Sequence, residues 1–265
     1  MEKLKNVLVI GAIAFLLVGC ATVKDVQRAS DLIRTDNELT RLIVEVRPND
    51  QAGASIYLSA VATHAENEAN ALKRDPDKIL DAIAYYRIAA TAYWRSGRSE
   101  VVNNLFEVTD NGTKLCSDLG KNAPDRDCLF LQLVIPFAGL ESNAKSLDIS
   151  QLLEKVDFKD GDAEPEEITT MMKIGESLIQ VKALVQKIFT VGEDNRYLSH
   201  PGMREYYCKN AKEAFKHYDS RASLFVLKVE EFHENFIQNN PPLGITIDEA
   251  REIRRLKKGV PDFCH

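Results

Sequence analysis

The sequence predicts an all-α fold in which helical hairpins pack as a repeat or as an irregular bundle, with two disulfides. Three observations lead to this prediction. Apolar residues recur at helical spacing over long segments, whereas strand-like alternation is scarce. Glycine and proline residues lie between these periodic segments. Four cysteines far from the amino terminus form an even set that can pair.

The first helix is expected over residues 23–47. Within it, Leu32, Leu39, Ile43 and Val46 recur at helical spacing, and the sequence "RPND" ends it. Further breaks are expected at "DPD" (75–77) and at Gly97. The helices separated by these breaks are expected over residues 51–74, 78–96 and 99–119.

The second half of the chain also reads as helix. Apart from the amino-terminal run, residues 128–147 form the most apolar segment of the chain. Pro136 is expected to kink or break a buried helix there. Residues 157–167, "DFKDGDAEPEE", form an acidic, turn-rich linker. The remaining helices are expected from an entry at residues 164–168 to about 191, from about 203 to 238 and from about 247 to 258.

One helical pair carries a repeat-like pattern. Aromatic and small residues alternate on the first helix, and apolar residues and a threonine follow on the second; the positions are Tyr86, Ala89, Ala90, Tyr93, Val102, Phe106 and Thr109. These offsets resemble the tetratricopeptide repeat (TPR), in which small residues let two helices approach closely. Only this one segment matches, whereas an array needs about three repeats. A helical hairpin in an irregular bundle is the alternative.

The amino terminus combines a short basic segment with an uncharged apolar run. Lys3 and Lys5 precede residues 7–18, which are too few to span a bilayer comfortably, since a spanning helix needs about 20 apolar residues. The run ends in "LVGC", and these four residues resemble the bacterial lipobox. The resemblance implies cleavage before Cys20 and acylation of its thiol. An amino-terminal membrane helix with a chance cysteine is the alternative.

This resemblance implies a cellular location as well as a membrane anchor. Residues 1–19 would be a lipoprotein signal peptide, residues 20–48 an anchored spacer with the first helix, and residues 49–265 an all-α domain. Several acyl chains on Cys20 would hold the protein firmly, because one chain binds a membrane only marginally. In similar Gram-negative lipoproteins, a residue other than aspartate after the cysteine favours the outer membrane, and Ala21 stands there.

The charge balance argues against nucleic acid as a partner. The net charge is −6 for the whole chain and about −7 once the signal segment is removed. Nucleic-acid affinity depends on clustered Lys and Arg, which an acidic chain supplies poorly. The expected membrane contact therefore comes from acyl chains and not from charge.

The other cysteines are expected to form disulfides, because an exported protein lies in an oxidising compartment. Local closure favours Cys116 with Cys128, and Cys208 with Cys264, among three connectivities. A zinc site is the rival interpretation. The spacings of 11, 79 and 55 intervening residues do not resemble the paired spacings of zinc sites.

The most distinctive mature segment is the aromatic helix "DAIAYYRIAATAYWRSGR". Tyrosine, tryptophan and arginine are enriched where proteins bind partners. The residues expected to bind a partner or ligand are Tyr86, Arg87, Tyr93, Trp94 and Arg98. Core aromatics with arginines that extend outwards are the alternative interpretation.

Few residues suggest catalysis or metal binding. Glu141 and Ser142 resemble the Glu-Ser pair of lytic transglycosylases, where the glutamate is a general acid, but the sequence after Ser142 departs from that family. His64 and Glu68 share a helix face without an evident third ligand. Neither a phosphate-binding glycine loop nor a serine nucleophile motif is present.

These observations predict a non-enzymatic lipoprotein of the bacterial cell envelope without a cofactor or metal. Its expected role is that of a periplasm-facing scaffold that binds another envelope protein and is tethered through Cys20. Two alternatives stay open. One is capture of a small ligand as an accessory to a transporter, and the other is a peptidoglycan-cleaving enzyme that uses Glu141.

Overall fold

The computed structural model describes residues 26–156, 158, 164–193, 195–235 and 243–265. Within these ranges the regular secondary structure is helical and no strand occurs, so the all-α prediction is confirmed. Cys20 and the predicted signal peptide lie outside the described residues.

Nine helices are described. α1 covers residues 26–41 and continues as a π-helical turn at Leu42–Val46. The others are α2 (Gln51–Leu72), α3 (Ile79–Ser96), α4 (Val102–Leu119), α5 (Asp125–Ser146), α6 (Ile149–Lys155), α7 (Pro165–Glu193), α8 (Pro201–Asn235) and α9 (Ile247–Arg254). The sequence predicts all but α6, with ends that agree within about one helical turn.

The chain divides into two compact units, Met1–Leu115 and Cys116–His265, and the boundary falls within α4. The sequence instead predicts a spacer over residues 20–48 and one helical domain over residues 49–265. That division stays a prediction.

In the first unit, α2 and α3 form a closely packed antiparallel hairpin. Small side chains on α2 allow the approach; the buried alanines are Ala54, Ala62, Ala65 and Ala69. α3 is buried on most of its surface, including Ala82, Ala89 and Ala92. The Ser55 hydroxyl donates to the Ser96 carbonyl oxygen at 2.6 Å, which joins the start of α2 to the end of α3.

The repeat-like pattern is only partly matched by the packing. Thr109 is buried, but Val102 and Phe106 are 44% and 53% exposed. The repeat pattern would bury both of these side chains against the preceding helix. The hairpin that forms most closely is α2–α3, because the alanines of α2 let it approach α3.

In the second unit, α7 packs against α5, α8 and α9. The core includes the edge-to-face pair Phe158 and Phe232, with ring centroids 5.1 Å apart. α5 is not broken at Pro136, although a proline removes one backbone hydrogen bond. Leu133 and Val134 are buried next to it, and this packing favours the continuous helix.

Both predicted disulfides are present. Cys116 pairs with Cys128 and joins the end of α4 to α5, with Cα atoms 5.8 Å apart. Cys208 pairs with Cys264 and joins α8 to the carboxyl-terminal segment, with Cα atoms 5.2 Å apart. The preference for local closure therefore selected the correct connectivity.

The two disulfides are expected to differ in their contribution to stability. They close segments separated by 12 and 56 positions, and a longer closed loop restricts the unfolded chain more. We expect the Cys208→Ser/Cys264→Ser variant to lose about 4 kcal/mol of unfolding free energy, and Cys116→Ser/Cys128→Ser about 3 kcal/mol. Urea unfolding followed by circular dichroism measures both. A larger loss for the shorter loop would contradict the loop-length explanation.

Candidate functional site

Two of the residues predicted to bind a partner lie in the core of the first unit. Tyr86 and Tyr93 on α3 are buried. The Tyr86 hydroxyl donates to Asn70 Oδ1 at 2.8 Å, and the Tyr93 hydroxyl donates to Glu66 Oε2 at 2.6 Å. Both hydroxyls therefore join α3 to α2.

Arg87 has a similar internal role. Its Nη1 donates to Asp36 Oδ1 on α1 at 2.8 Å, and its side chain is largely buried. Two residues earlier on α3, the Tyr85 hydroxyl donates to Asp31 Oδ2 at 2.8 Å. These contacts hold α1 parallel to α3.

Trp94 and Arg98 lie nearer the surface. The Arg95 guanidinium lies over the Trp94 ring, 3.9 Å from its centroid, in a cation–π contact. Arg98 Nε donates to Glu100 Oε1 at 2.7 Å. The five predicted residues thus divide into three internal residues and two partly exposed ones, and partner binding by them stays a prediction.

An open groove lies between α1 and α2 on the outside of the first unit. We name it the α1–α2 groove; it has a volume of about 810 Å³ and is lined by Ile33, Asn37, Arg41, Ala60, Val61 and His64, among others. Ile33 is 60% exposed. Tyr57, one turn before Val61 on the same face of α2, is 61% exposed. The groove therefore combines apolar side chains with charged edges.

Asp31 supports the charged edge of this groove. Burial alone would raise the pKa of Asp31, but hydrogen bonds from Tyr85 and Arg34 and the nearby charges of Arg34 and His64 outweigh it and lower that pKa. His64 Nε2 lies 3.5 Å from Asp31 Oδ2. The carboxylate form of Asp31 is therefore stabilised next to His64.

A second groove lies between α7 and α9 in the second unit. We name it the α7–α9 groove; its volume is about 660 Å³, and the aliphatic residues lining it are Met172, Ile179, Ala183, Ile245 and Ile253. Gln186 also lines it, and its buried Nε2 lacks a hydrogen-bond partner among the described residues. A buried donor without a partner costs about 1–3 kcal/mol, so this amide stands out in the groove.

The other candidates from the sequence lie on helix surfaces. Glu141 Oε1 accepts a hydrogen bond from Lys145 Nζ at 2.8 Å, on the same face of α5. His64 approaches Asp31. In the part of the chain that the structure describes, no cluster of three or more His, Cys, Asp or Glu side chains could hold a metal ion.

Sequence reasoning missed both grooves. For the α1–α2 groove a signal existed, because Ile33 falls outside the apolar stripe that includes Leu32 and Leu39. For the α7–α9 groove the sequence contains no such signal. Periodicity identifies α7 as amphipathic but does not indicate which apolar residues stay uncovered, or that Gln186 lacks a partner.

Comparisons with protein families, with curated proteins and with solved structures found no match to this chain. The helices in the described ranges are not long and apolar enough to cross a membrane. We therefore infer the function from the surfaces described above and from the sequence.

The buried tyrosines of α3 predict a loss of stability in alkali. Burial, with the charges of Glu66 and Glu107, raises the pKa of Tyr86 from 10.0 to about 12. Burial and the hydrogen bond to Glu66 raise the pKa of Tyr93 to about 12. Because both pKa values are raised, the protonated hydroxyls contribute to the free energy of unfolding. This contribution is complete below pH 10 and is lost as pH rises towards 12.

Urea unfolding at a series of pH values across this range measures the effect. The Tyr86→Phe/Tyr93→Phe variant should show a flatter dependence of unfolding free energy on pH between 10 and 12. Tyr57→Phe is the matched control, because Tyr57 is exposed, and it should keep the slope of the parent protein. An unchanged slope in the double variant would contradict the assignment.

Proposed function

We propose that this chain is a lipid-anchored scaffold of the bacterial cell envelope. Acyl chains on Cys20 would hold it at the membrane, and the α1–α2 groove would bind another envelope protein. The observation that carries this proposal is the open groove lined by the exposed Ile33, with the exposed Tyr57 one turn before its lining residue Val61, on the helices closest in sequence to the lipobox. Exposed apolar patches of this kind mark protein interaction sites.

Cysteine use supports the export part of the proposal. Four of the five cysteines form disulfides, and such bonds persist in oxidising compartments such as the periplasm. Cys20 is the fifth and occupies the acylation position of the lipobox-like "LVGC". An odd cysteine in an exported chain calls for a separate role, and acylation supplies one.

The short distance along the chain from Cys20 supports the choice of surface. Five residues separate Cys20 from Val26, the first described residue of α1. Six peptide steps span at most about 22 Å when fully extended. Anchoring at Cys20 would therefore keep the start of α1 close to the bilayer, where a second membrane-associated protein can reach the groove.

The chemistry of the groove indicates what kind of partner surface fits. Ile33 and Tyr57 offer apolar area, and tyrosine is enriched among residues that dominate binding energy. At one edge, Arg41 makes two hydrogen bonds to Glu38, at 2.9 and 2.6 Å. We infer an apolar ridge, such as one face of an amphipathic helix, as the complementary surface.

The geometry favours this scaffold over ligand capture at the aromatic helix. A carrier built from Tyr86 and Tyr93 needs these side chains to line a pocket, whereas both are buried and hydrogen-bonded to α2. Glu141 pairs with Lys145, and no described feature around it favours glycoside cleavage. Ligand binding is instead favoured at the α7–α9 groove.

The anchor is tested by replacing Cys20. We expect Cys20→Ala to abolish palmitate labelling and to release the protein from the membrane fraction, because the acyl chains supply the attachment. Radiolabelled palmitate and cell fractionation measure the two properties. Cys116→Ser/Cys128→Ser serves as the control and should keep its label. A Cys20→Ala variant that still fractionates with membranes would overturn the lipobox interpretation.

The partner surface is tested by photo-crosslinking in cells. A benzoylphenylalanine placed at Ile33 or at Tyr57 should capture the same envelope protein, because Ile33 lines the groove and Tyr57 lies one turn before its lining residue Val61. Leu227 is a matched exposed position in the second unit, and the probe there should not capture that protein.

A charged residue in the groove should then abolish the capture. We expect Ile33→Glu to reduce crosslinking from Tyr57 at least about tenfold, since tenfold corresponds to about 1.4 kcal/mol of binding. Leu227→Glu should leave it unchanged. Different proteins captured from the two groove positions, or an undiminished yield in Ile33→Glu, would contradict the proposed surface.

A further inference from the structure

The α7–α9 groove has walls whose register is fixed by polar contacts. Lys182 Nζ on α7 donates to the Glu252 carbonyl oxygen on α9 at 2.5 Å. Farther along, Lys258 pairs with Glu193. These two contacts place the 244–258 segment parallel to α7. Gln186 and Lys257 lie between them along the two walls, so both belong to the same end of the groove.

The other end of the groove depends on close packing at Gly175. A Cβ atom at this position would lie 3.0 Å from Ile245 Cδ1 and 3.2 Å from Phe225 Cζ. The absence of a side chain therefore lets Ile245 approach α7. Between this end and Gln186, the lining includes the aliphatic Ile179 and Ala183 as well as the charged Glu176 and Lys182. Ile179 is 53% exposed.

Polar groups without partners are concentrated at the Gln186 end. Gln186 Nε2 is buried and has no hydrogen-bond partner among the described residues. Lys257 lines the same groove, is exposed, and forms no ion pair within the described ranges. Because Gln186 lines the groove, an acceptor bound there can supply the hydrogen-bond partner that its amide donor lacks.

We propose that the α7–α9 groove binds an aliphatic carboxylate. The carboxylate accepts a hydrogen bond from the Gln186 amide and pairs with the Lys257 ammonium, and the hydrocarbon chain lies along Ile179 and Ile253 towards Met172. The volume of the groove, about 660 Å³, is within the usual range of small-molecule sites. This inference does not rest on the proposed scaffold function, because it concerns another surface and another class of ligand.

The charges along the groove set the orientation of the ligand. Glu176 lines the groove ten residues before Gln186, which is about 15 Å along the helix. An anionic head is therefore favoured at Lys257 and disfavoured near Glu176. Glu249 caps α9 through Thr246, and Glu252 lies 3.7 Å from Lys182, so these two carboxylates already have partners.

The lining also favours a hydrocarbon chain over a peptide. Besides two lysines and three glutamates, the lining residues include methionine, alanine and isoleucine. They include no tyrosine, tryptophan or arginine, the residues that dominate peptide and protein recognition. An aliphatic chain gains from burial in proportion to its apolar area and needs no further hydrogen bonds.

Photolabelling tests this site on the full chain in phosphatidylcholine vesicles. The probes are a diazirine-bearing palmitate and the corresponding diazirine-bearing hexadecanol, which lacks the carboxylate. We expect the acid to label peptides that contain Ile179 or Ile253, and unlabelled palmitate to compete. Labelling spread over the surface, or confined to peptides outside the groove, would overturn the proposal.

Variants distinguish recognition of the ligand's carboxylate from binding of its hydrocarbon chain. Gln186→Leu/Lys257→Gln should reduce labelling by the acid about tenfold. Labelling by the alcohol, which we expect to be weak in the parent protein, should not change. Lys187→Gln is the matched control, because Lys187 is an exposed neighbour of Gln186 that does not line the groove. Ile179→Lys should block labelling by either probe. Equal labelling by acid and alcohol in the parent protein would contradict recognition of the carboxylate.

Discussion

The burial of α3 between α1 and α2 is the constraint on which the first unit depends. A helix buried on most of its surface must satisfy its polar side chains internally, because each unpaired buried group costs free energy. Tyr85 and Arg87 meet this need on α1 at Asp31 and Asp36. The buried hydroxyls on the opposite side bond to α2. The polar first helix is thereby part of the packed structure, and its outer face, with Ile33, is left uncovered.

The sequence predicted the helices and both disulfides because these depend on local patterns. It could not predict the environment of α3, since Tyr86 and Tyr93 fit either a binding surface or a core at the same spacing. The deciding partners, Glu66 and Asn70, lie on another helix. Pro136 shows the same limit, because its effect depends on packing of the residues beside it and α5 is not broken there.

The two grooves differ in chemistry, and this difference assigns them different occupants. The charged edge of the α1–α2 groove is internally paired, as Arg41 with Glu38 shows, so the exposed Ile33 in the groove and the neighbouring exposed Tyr57 determine what binds there. In the α7–α9 groove five of the lining residues are aliphatic, and Gln186 and Lys257 have polar atoms without partners in the described chain. Unpaired donors beside apolar walls favour an amphiphile, whereas paired charges around apolar side chains favour a protein surface.

The second wall of the α7–α9 groove depends on the oxidised state of the protein. α9 has eight residues, and an isolated helix of that length is unstable in water. It is held by its capping box and by contacts with α8, among them Arg251 with Glu230 at 2.7 Å. The disulfide from Cys208 to Cys264 then ties the segment after α9, which contains Lys257, to α8. Because a disulfide persists only where thiols are not kept reduced, the compartment inferred from the lipobox is also the one in which this groove keeps its shape.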